Sequence, residues 1–188
     1  RYTPYYKERK PQEILTIANH ILGSGQLSLA KYLFIIAGED NQKLTTHDVS
    51  DFFKHVLERV DFSRDLHFHT RTTIDTLDYS GIGLNSGSKV VFAAYGDVKR
   101  KLCTEIPQVL KELSHFENAR ISMPGVIALQ AGKFISYADA HTEMERLDQQ
   151  LTIRKDALEE VAMIVICDDA SFVSETLRNY LWVTYTRC

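Results

Sequence analysis

Residues 31–60, KYLFIIAGEDNQKLTTHDVSDFFKHVLERV, decide the fold class. Lys31 to Ala37 is a short, continuous apolar run of aromatic and β-branched side chains, the pattern of a strand covered on both faces in a parallel sheet. A turn follows at GEDNQ. Thr46 then precedes Val49, Phe52, Phe53, Val56, Leu57 and Val60, which recur at helical spacing behind an N-capping residue. Strand, acidic turn and capped helix form one βα unit.

Working outward, QEILTIANHIL (12–22) sets Ile14, Leu15, Ile17, Ala18, Ile21 and Leu22 on one helical face between Pro11 and Gly23. Asp65 to Thr70, Ser88 to Ala94 and Gly125 to Gln130 read as strands between loops rich in Gly, Ser and Thr. Ala138 to Leu151 reads as a polar helix with Met144, Leu147 and Leu151 on one face. AMIVICDDASFVSETLRNYLWVTYTRC (162–188) parallels the opening unit in strand, acidic turn, helix and closing Arg. This second βα copy at 160–188 is either a duplication or a second unit obeying the same physics. The alternation predicts a single α/β domain over 1–188, three-layered, with a mostly parallel sheet and helices on both faces. Lys31–Ala37 and Val161–Cys167 are expected to be interior strands of that one sheet.

The chain of 188 residues has 44% hydrophobic and 25% charged residues, a composition that folds throughout. Its 22 basic and 25 acidic side chains give a net charge of −3, which offers a phosphate backbone no broad attraction and argues against nucleic acid as a partner. Cys103, Cys167 and Cys188 are far apart and odd in number, which fits a reduced, cytoplasmic setting. No apolar run approaches the roughly 20 residues that cross a bilayer, so no membrane span is expected. With no initiator Met before Arg1, the chain reads as a piece of something longer.

Several short patterns invite chemistry. His67 and His69 share one face of a strand and could hold a metal, but that needs further ligands, and only His115 and His141 are on offer. GIGLNSGSK (81–89) is not a phosphate loop, because Ser88 separates Gly87 from Lys89 and a strand follows. Gly23-Ser24-Gly25 follows a helix and terminates it. Asp168 and Asp169 resemble a cation-binding pair, yet acidic residues before a helix are also favoured by its dipole.

The order of blocks is more specific than any one of them. Glu58-Arg59-Val60-Asp61, Arg64-Asp65, Ile74-Asp75-Thr76-Leu77-Asp78 and Gly87-Ser88-Lys89 occur in sequence, and Cys167-Asp168-Asp169, Leu181-Trp182 and Thr186-Arg187 supply another part of the pattern. This arrangement resembles the C-terminal domain of the UbiD family, decarboxylases that use prenylated flavin mononucleotide. The likeness covers residues 29 to about 107. It departs from the family at Gly38-Glu39-Asp40, where an acidic triplet is usual, at Lys54 in place of Trp, and at Phe62 in place of Pro.

The resemblance implies a parent enzyme that removes carboxylate non-oxidatively from an aromatic or α,β-unsaturated acid of the 4-hydroxybenzoate type. Prenylated FMN, a divalent metal such as Mn and a Glu-Arg-Glu network would sit on a preceding flavin-binding domain of the same protein. None of their motifs occurs here, so no catalytic, cofactor-binding or metal residue is expected in this fragment, and homo-oligomerisation is. The family's active-site lid maps to the loop from Arg71 to Ser86, at the carboxyl ends of the strands, expected to be mobile. Its candidates are Ile74 as the capping aliphatic, Asp75 and Asp78 as backbone anchors, and Lys89 as the partner of either. On that reading Ile74→Asp would depress turnover and leave the fold intact. The competing reading is a free-standing α/β binding or assembly module without catalysis.

Overall fold

The structure, a computed structural model, describes residues 12–76, 78 and 83–186. They fall into two compact units, one ending at Lys99 and the other running from Arg100 to Thr186, where the sequence reading expected a single domain.

In the first unit, helix α1 (Gln12–Leu22) leads through a 3-10 turn (Gly25–Leu29) into strand β1 (Tyr32–Ile36). Helix α2 (Val49–Arg59) follows, then strands β2 (Leu66–Thr72) and β3 (Gly87–Ala94). The cap of α2 is Asp48 rather than Thr46: its carboxylate accepts the Asp51 N–H at 3.1 Å. The sheet order is β1-β3-β2. β1 runs parallel to β3, from Tyr32 beside Val90 to Ile36 beside Ala94. β2 runs antiparallel, from Leu66 beside Phe92 to Thr72 beside Gly87. On one face Ile14 and Ala18 of α1 bury against Ala37, Val91 and Ala93. On the other, Phe53 of α2 meets Phe34 at 4.8 Å between ring centroids, and Phe34 stacks on Phe92 at 4.5 Å. Alternating strand side chains thus give each helix its own apolar surface.

The second unit contains the short helix α3 (Gln108–Lys111), strands β4 (Glu117–Met123) and β5 (Val126–Gln130), helix α4 (Tyr137–Thr152), strand β6 (Met163–Cys167), and helices α5 (Ala170–Glu175) and α6 (Leu177–Thr186). Its sheet order is β4-β5-β6, with β4 antiparallel and β6 parallel to the central β5. Ile127 and Leu129 bury with Leu110, Leu113, Phe116 and Leu147 on one face. On the other, the Tyr180 hydroxyl meets the Tyr185 hydroxyl at 3.0 Å and the Met163 sulfur at 3.5 Å. Burial pushes the Tyr180 phenol up to about 12, so it stays protonated as a hydrogen-bonding core residue. Gly125, with φ +77, turns the β4–β5 hairpin under Leu102, whose Cδ2 would lie 2.5 Å from any added Cβ.

The α/β class holds, with helices on both faces of each sheet. The single sheet does not. Lys31–Ala37 and Val161–Cys167 supply β1 and β6, which stand at the edges of two separate three-stranded sheets, each with one parallel and one antiparallel pair. Two-sided apolar composition reports covered faces, and it leaves open whether a second strand lies alongside. The two sheets share one plan: a central strand with a parallel βα strand on one side and an antiparallel neighbour on the other. The chain order differs, because the first unit makes its βα strand before the antiparallel pair and the second makes it afterwards.

Helix α2 also buries His55, whose Nε2 has no hydrogen-bond partner. Burial lowers its pKa below the ordinary 6.5, the Arg59 guanidinium lowers it further, and Glu58 opposes. Below pH 6.5 the unfolded chain therefore takes up a proton that the folded chain refuses, so stability is complete above 6.5 and falls as pH drops toward the folded pKa. Urea midpoints between pH 7.5 and 5 are expected to decline in the wild type and to decline less in His55→Met. Parallel profiles for the two proteins would show that this imidazole is not the responsible group.

Candidate functional site

The loop between β2 and β3 does not lie where the sequence reading put it. Because β2 is antiparallel, its last residues sit beside Gly87, at the amino ends of β1 and β3. Leu77 and residues 79–82, which include part of the glycine cluster, lie outside the described residues.

Ile74 points inward. It is 1% exposed and packs on Gly87, where an added Cβ would come within 2.6 Å of its Cδ1. The side chain therefore anchors its own loop. Asp75 accepts the Asp78 N–H on its backbone carbonyl at 3.1 Å, a turn role. Asp78 forms an ion pair with Lys31 at 3.3 Å. Lys89, expected opposite one of these carboxylates, instead points its ammonium at the Ser28 carbonyl of the 3-10 turn. It is 5% exposed, and desolvation lowers its pKa. Its strand position sends it to the α1 side of the sheet with Val91 and Ala93, and there the turn carbonyl is the acceptor in reach. The four candidates thus gather at one end of the sheet, where Ile74, Asp75 and Asp78 fasten the loop and Lys89 fastens the 3-10 turn.

The other end carries the denser polar network, and sequence reasoning quoted its residues without seeing their role. Asp65, 0% exposed, accepts Arg64 Nε at 2.6 Å and a second guanidinium nitrogen at 3.0 Å. The same carboxylate accepts the Asp61 N–H at 2.9 Å. Arg64 lies 4.6 Å over the Tyr95 ring, and its hydrogen bond to Asp65 raises its pKa. Asp61 in turn accepts the hydroxyl and the N–H of Ser63, which hold its carboxyl below the usual range. Gly96, at φ +85, has both backbone groups claimed: Asp40 accepts its N–H at 2.6 Å, and Arg59 Nε donates to its carbonyl at 3.1 Å. The Glu-Arg-Val-Asp and Arg-Asp blocks therefore close the carboxyl end of the parallel pair, using charge to satisfy backbone. The adjacent Arg-Asp just before a strand was the available signal.

His67 and His69 lie across from Val91 and Lys89 on the α1 side of β2. Among the described residues no three His, Cys, Asp or Glu side chains converge on a metal-sized site. Asp169 caps α5 by accepting the Phe172 N–H at 2.9 Å, so the second residue of the acidic pair after β6 serves a helix start. Cys103 and Cys167 are buried, and the Cys167 thiol donates to the Leu129 carbonyl at 3.8 Å. Arg187 and Cys188 lie outside the described residues.

The model of the 3-octaprenyl-4-hydroxybenzoate carboxy-lyase C-terminal domain matches residues 5–94, within the first unit. Residues 5–94 are thus similar to the C-terminal domain of the UbiD family. The two units together are similar to a Chlamydia trachomatis protein called uncharacterized, 32% identical over 182 residues, which are 96% of this chain and 28% of the relative. A Chlamydia muridarum protein, also called uncharacterized, is 33% identical over the same shares. A Chlamydia pneumoniae protein, named as a subunit of 4-hydroxybenzoate decarboxylase, is 29% identical over 184 residues, 97% of this chain and 28% of that protein. The chain thus spans under a third of the length of these relatives. The second unit is outside the UbiD match and inside the chlamydial one.

Proposed function

We propose that this chain is part of a UbiD-like carboxy-lyase that removes carbon dioxide from an aromatic or α,β-unsaturated acid without net oxidation. The observation that carries the reading is the UbiD match over the first unit, and the chlamydial decarboxylase name supports it. Loss of carbon dioxide leaves an electron pair on carbon, so the reaction needs an electron sink and a returning proton. In this reading prenylated FMN supplies the sink, held with a divalent metal such as Mn by a flavin-binding domain elsewhere in the protein. The described residues do not form a metal-sized donor set, and no step through either group is assigned to them.

The part given to this chain is support and assembly. Its UbiD unit presents a fastened carboxyl end and a loop pinned by Ile74 and Asp78, and it contributes contacts to a homo-oligomer and to the flavin-binding domain. Among the described residues no helix is long and apolar enough to cross a membrane. A cytoplasmic location is part of the same proposal.

The test compares the full-length protein with the isolated chain, each mixed with prenylated FMN, Mn²⁺ and a panel of acids headed by 4-hydroxybenzoate. Carbon dioxide release by the full-length protein alone is expected. A full-length protein that holds the flavin stoichiometrically and decarboxylates none of the acids would overturn the reading. Turnover by the isolated chain would overturn the support role.

A further inference from the structure

The two edge strands of the second unit are built differently. β4 is irregular: its pairing with β5 shifts register between Glu117 and Arg120 and again between Ile121 and Met123, and Asn118 sits at φ +46. Bulges, charges and a left-handed residue are the usual means by which an edge strand is kept from pairing further. β6 has none of these. Its five residues, MIVIC, pair with β5 in unbroken parallel register and include no charge and no proline.

The hydrogen bonds fix which groups face outward. The Met163 N–H donates to the Gly125 carbonyl, and the Cys167 carbonyl accepts from Ala131. Met163, Val165 and Cys167 therefore turn their backbone groups to β5, and alternation turns those of Ile164 and Ile166 the other way. Among the described residues Ile164 and Ile166 make no backbone hydrogen bond outside the sheet. Both side chains are only half buried against the core beneath them.

We propose that the open edge of β6 is a strand-addition site that takes an extended apolar segment flanked by lysine or arginine. The flanks set this chemistry. Glu159 and Glu160 precede the strand and Asp168 and Asp169 follow it, while Lys101 pairs with Glu160 at 3.3 Å. An added strand gains main-chain hydrogen bonds to Ile164 and Ile166, extends the apolar surface, and meets carboxylates at both ends. A second copy of β6 docked antiparallel would set Glu159 and Glu160 against Asp168 and Asp169, like against like. The site goes beyond the decarboxylase reading and does not depend on it.

The probe is an alternating valine–threonine peptide with paired lysines at both ends, titrated into the 188-residue chain and followed by amide NMR and hydrogen exchange. The Ile164 and Ile166 amides are expected to exchange freely in the chain alone and at least about tenfold more slowly with the peptide. The same peptide with glutamates in place of lysines should bind roughly tenfold more weakly, the gap narrowing with salt. Ile166→Pro removes one outward N–H without touching the β5 ladder, and Asp168→Asn removes an exposed flanking charge. Each should weaken binding severalfold, and Asp168→Asn checks the proposal should the proline variant fail to fold. Protection of both amides in the chain alone, equal binding of the two peptides, or concentration-dependent self-association that protects these amides would each overturn it.

Discussion

Ile74→Asp is expected to unfold the first unit. The side chain is 1% exposed and fills the space over Gly87, so the variant loses aliphatic packing and gains a carboxylate where water does not reach. Truncating a buried isoleucine costs about 2–5 kcal/mol. An unpaired buried carboxylate adds a further cost of roughly several kcal/mol unless it protonates. The sum rivals the ~5–15 kcal/mol that holds an ordinary domain together. Ile74→Val, which removes one methylene, should cost only about 1 kcal/mol. A buried aspartate has its pKa raised by desolvation, so the variant should regain stability as pH falls and its carboxyl takes up a proton. Thermal melts and urea titrations of the three proteins decide the matter. An Ile74→Asp variant that melts with the wild type would return this residue to an exposed, capping position.

Arg64→Ala is the second large effect. Asp65 is wholly buried and depends on the guanidinium for two of its three side-chain hydrogen bonds. Removing one partner of a buried ion pair costs about 3–5 kcal/mol, because the other charge is left without compensation. The Arg64 side chain is 42% exposed, so water screens part of the pair and about 2–4 kcal/mol is the expected loss. Arg64→Lys keeps the charge but not the two-pronged geometry, and should fall between. Asp65→Asn should cost less than Arg64→Ala, since an amide oxygen still accepts the Asp61 N–H and no buried charge remains. Urea unfolding at neutral pH reads the order. An Arg64→Ala variant within about 0.5 kcal/mol of the wild type would mean that solvent replaces the guanidinium without penalty.

The elements that were legible from sequence were those whose burial leaves a periodic trace. KYLFIIA and VAMIVIC gave β1 and β6, and the helical stripes gave α1, α2 and α4. β4 was not legible, because ENARISM mixes charge with small residues and its bulges spoil alternation. The helix expected after β6 is two, α5 and α6, because Thr176 leaves the helical conformation and caps the second by accepting the Asn179 N–H at 3.1 Å. Edge positions of β1 and β6 were invisible, since composition records what covers a strand's faces and is silent about its flank. The candidate site shows the same limit. Ile74, Asp75, Asp78 and Lys89 do gather, but their partners, Gly87, Lys31 and the Ser28 carbonyl, depend on the order and direction of β1, β2 and β3, which a sequence pattern does not encode. In the sequence Arg64 and Asp65 are a family-like pair at the start of a strand, and only the fold reveals the carboxylate as buried.

The shared sheet plan, traversed in opposite chain order, has a kinetic consequence. In the second unit the first strands made are β4 and β5, neighbours joined by a tight turn, with Ile121 beside Ile127. In the first unit the earliest strand, β1, waits for β3, with Tyr32 beside Val90. Closing a long loop costs more chain entropy than closing a short one, and distant pairings slow folding. The second unit is therefore the faster to acquire protected amides. Pulse-labelled hydrogen exchange during refolding should find the Ala128 amide, which faces β4, protected before the Phe92 amide, which faces β1, and the reverse order would show that the helices, not the strand pairings, set the pace.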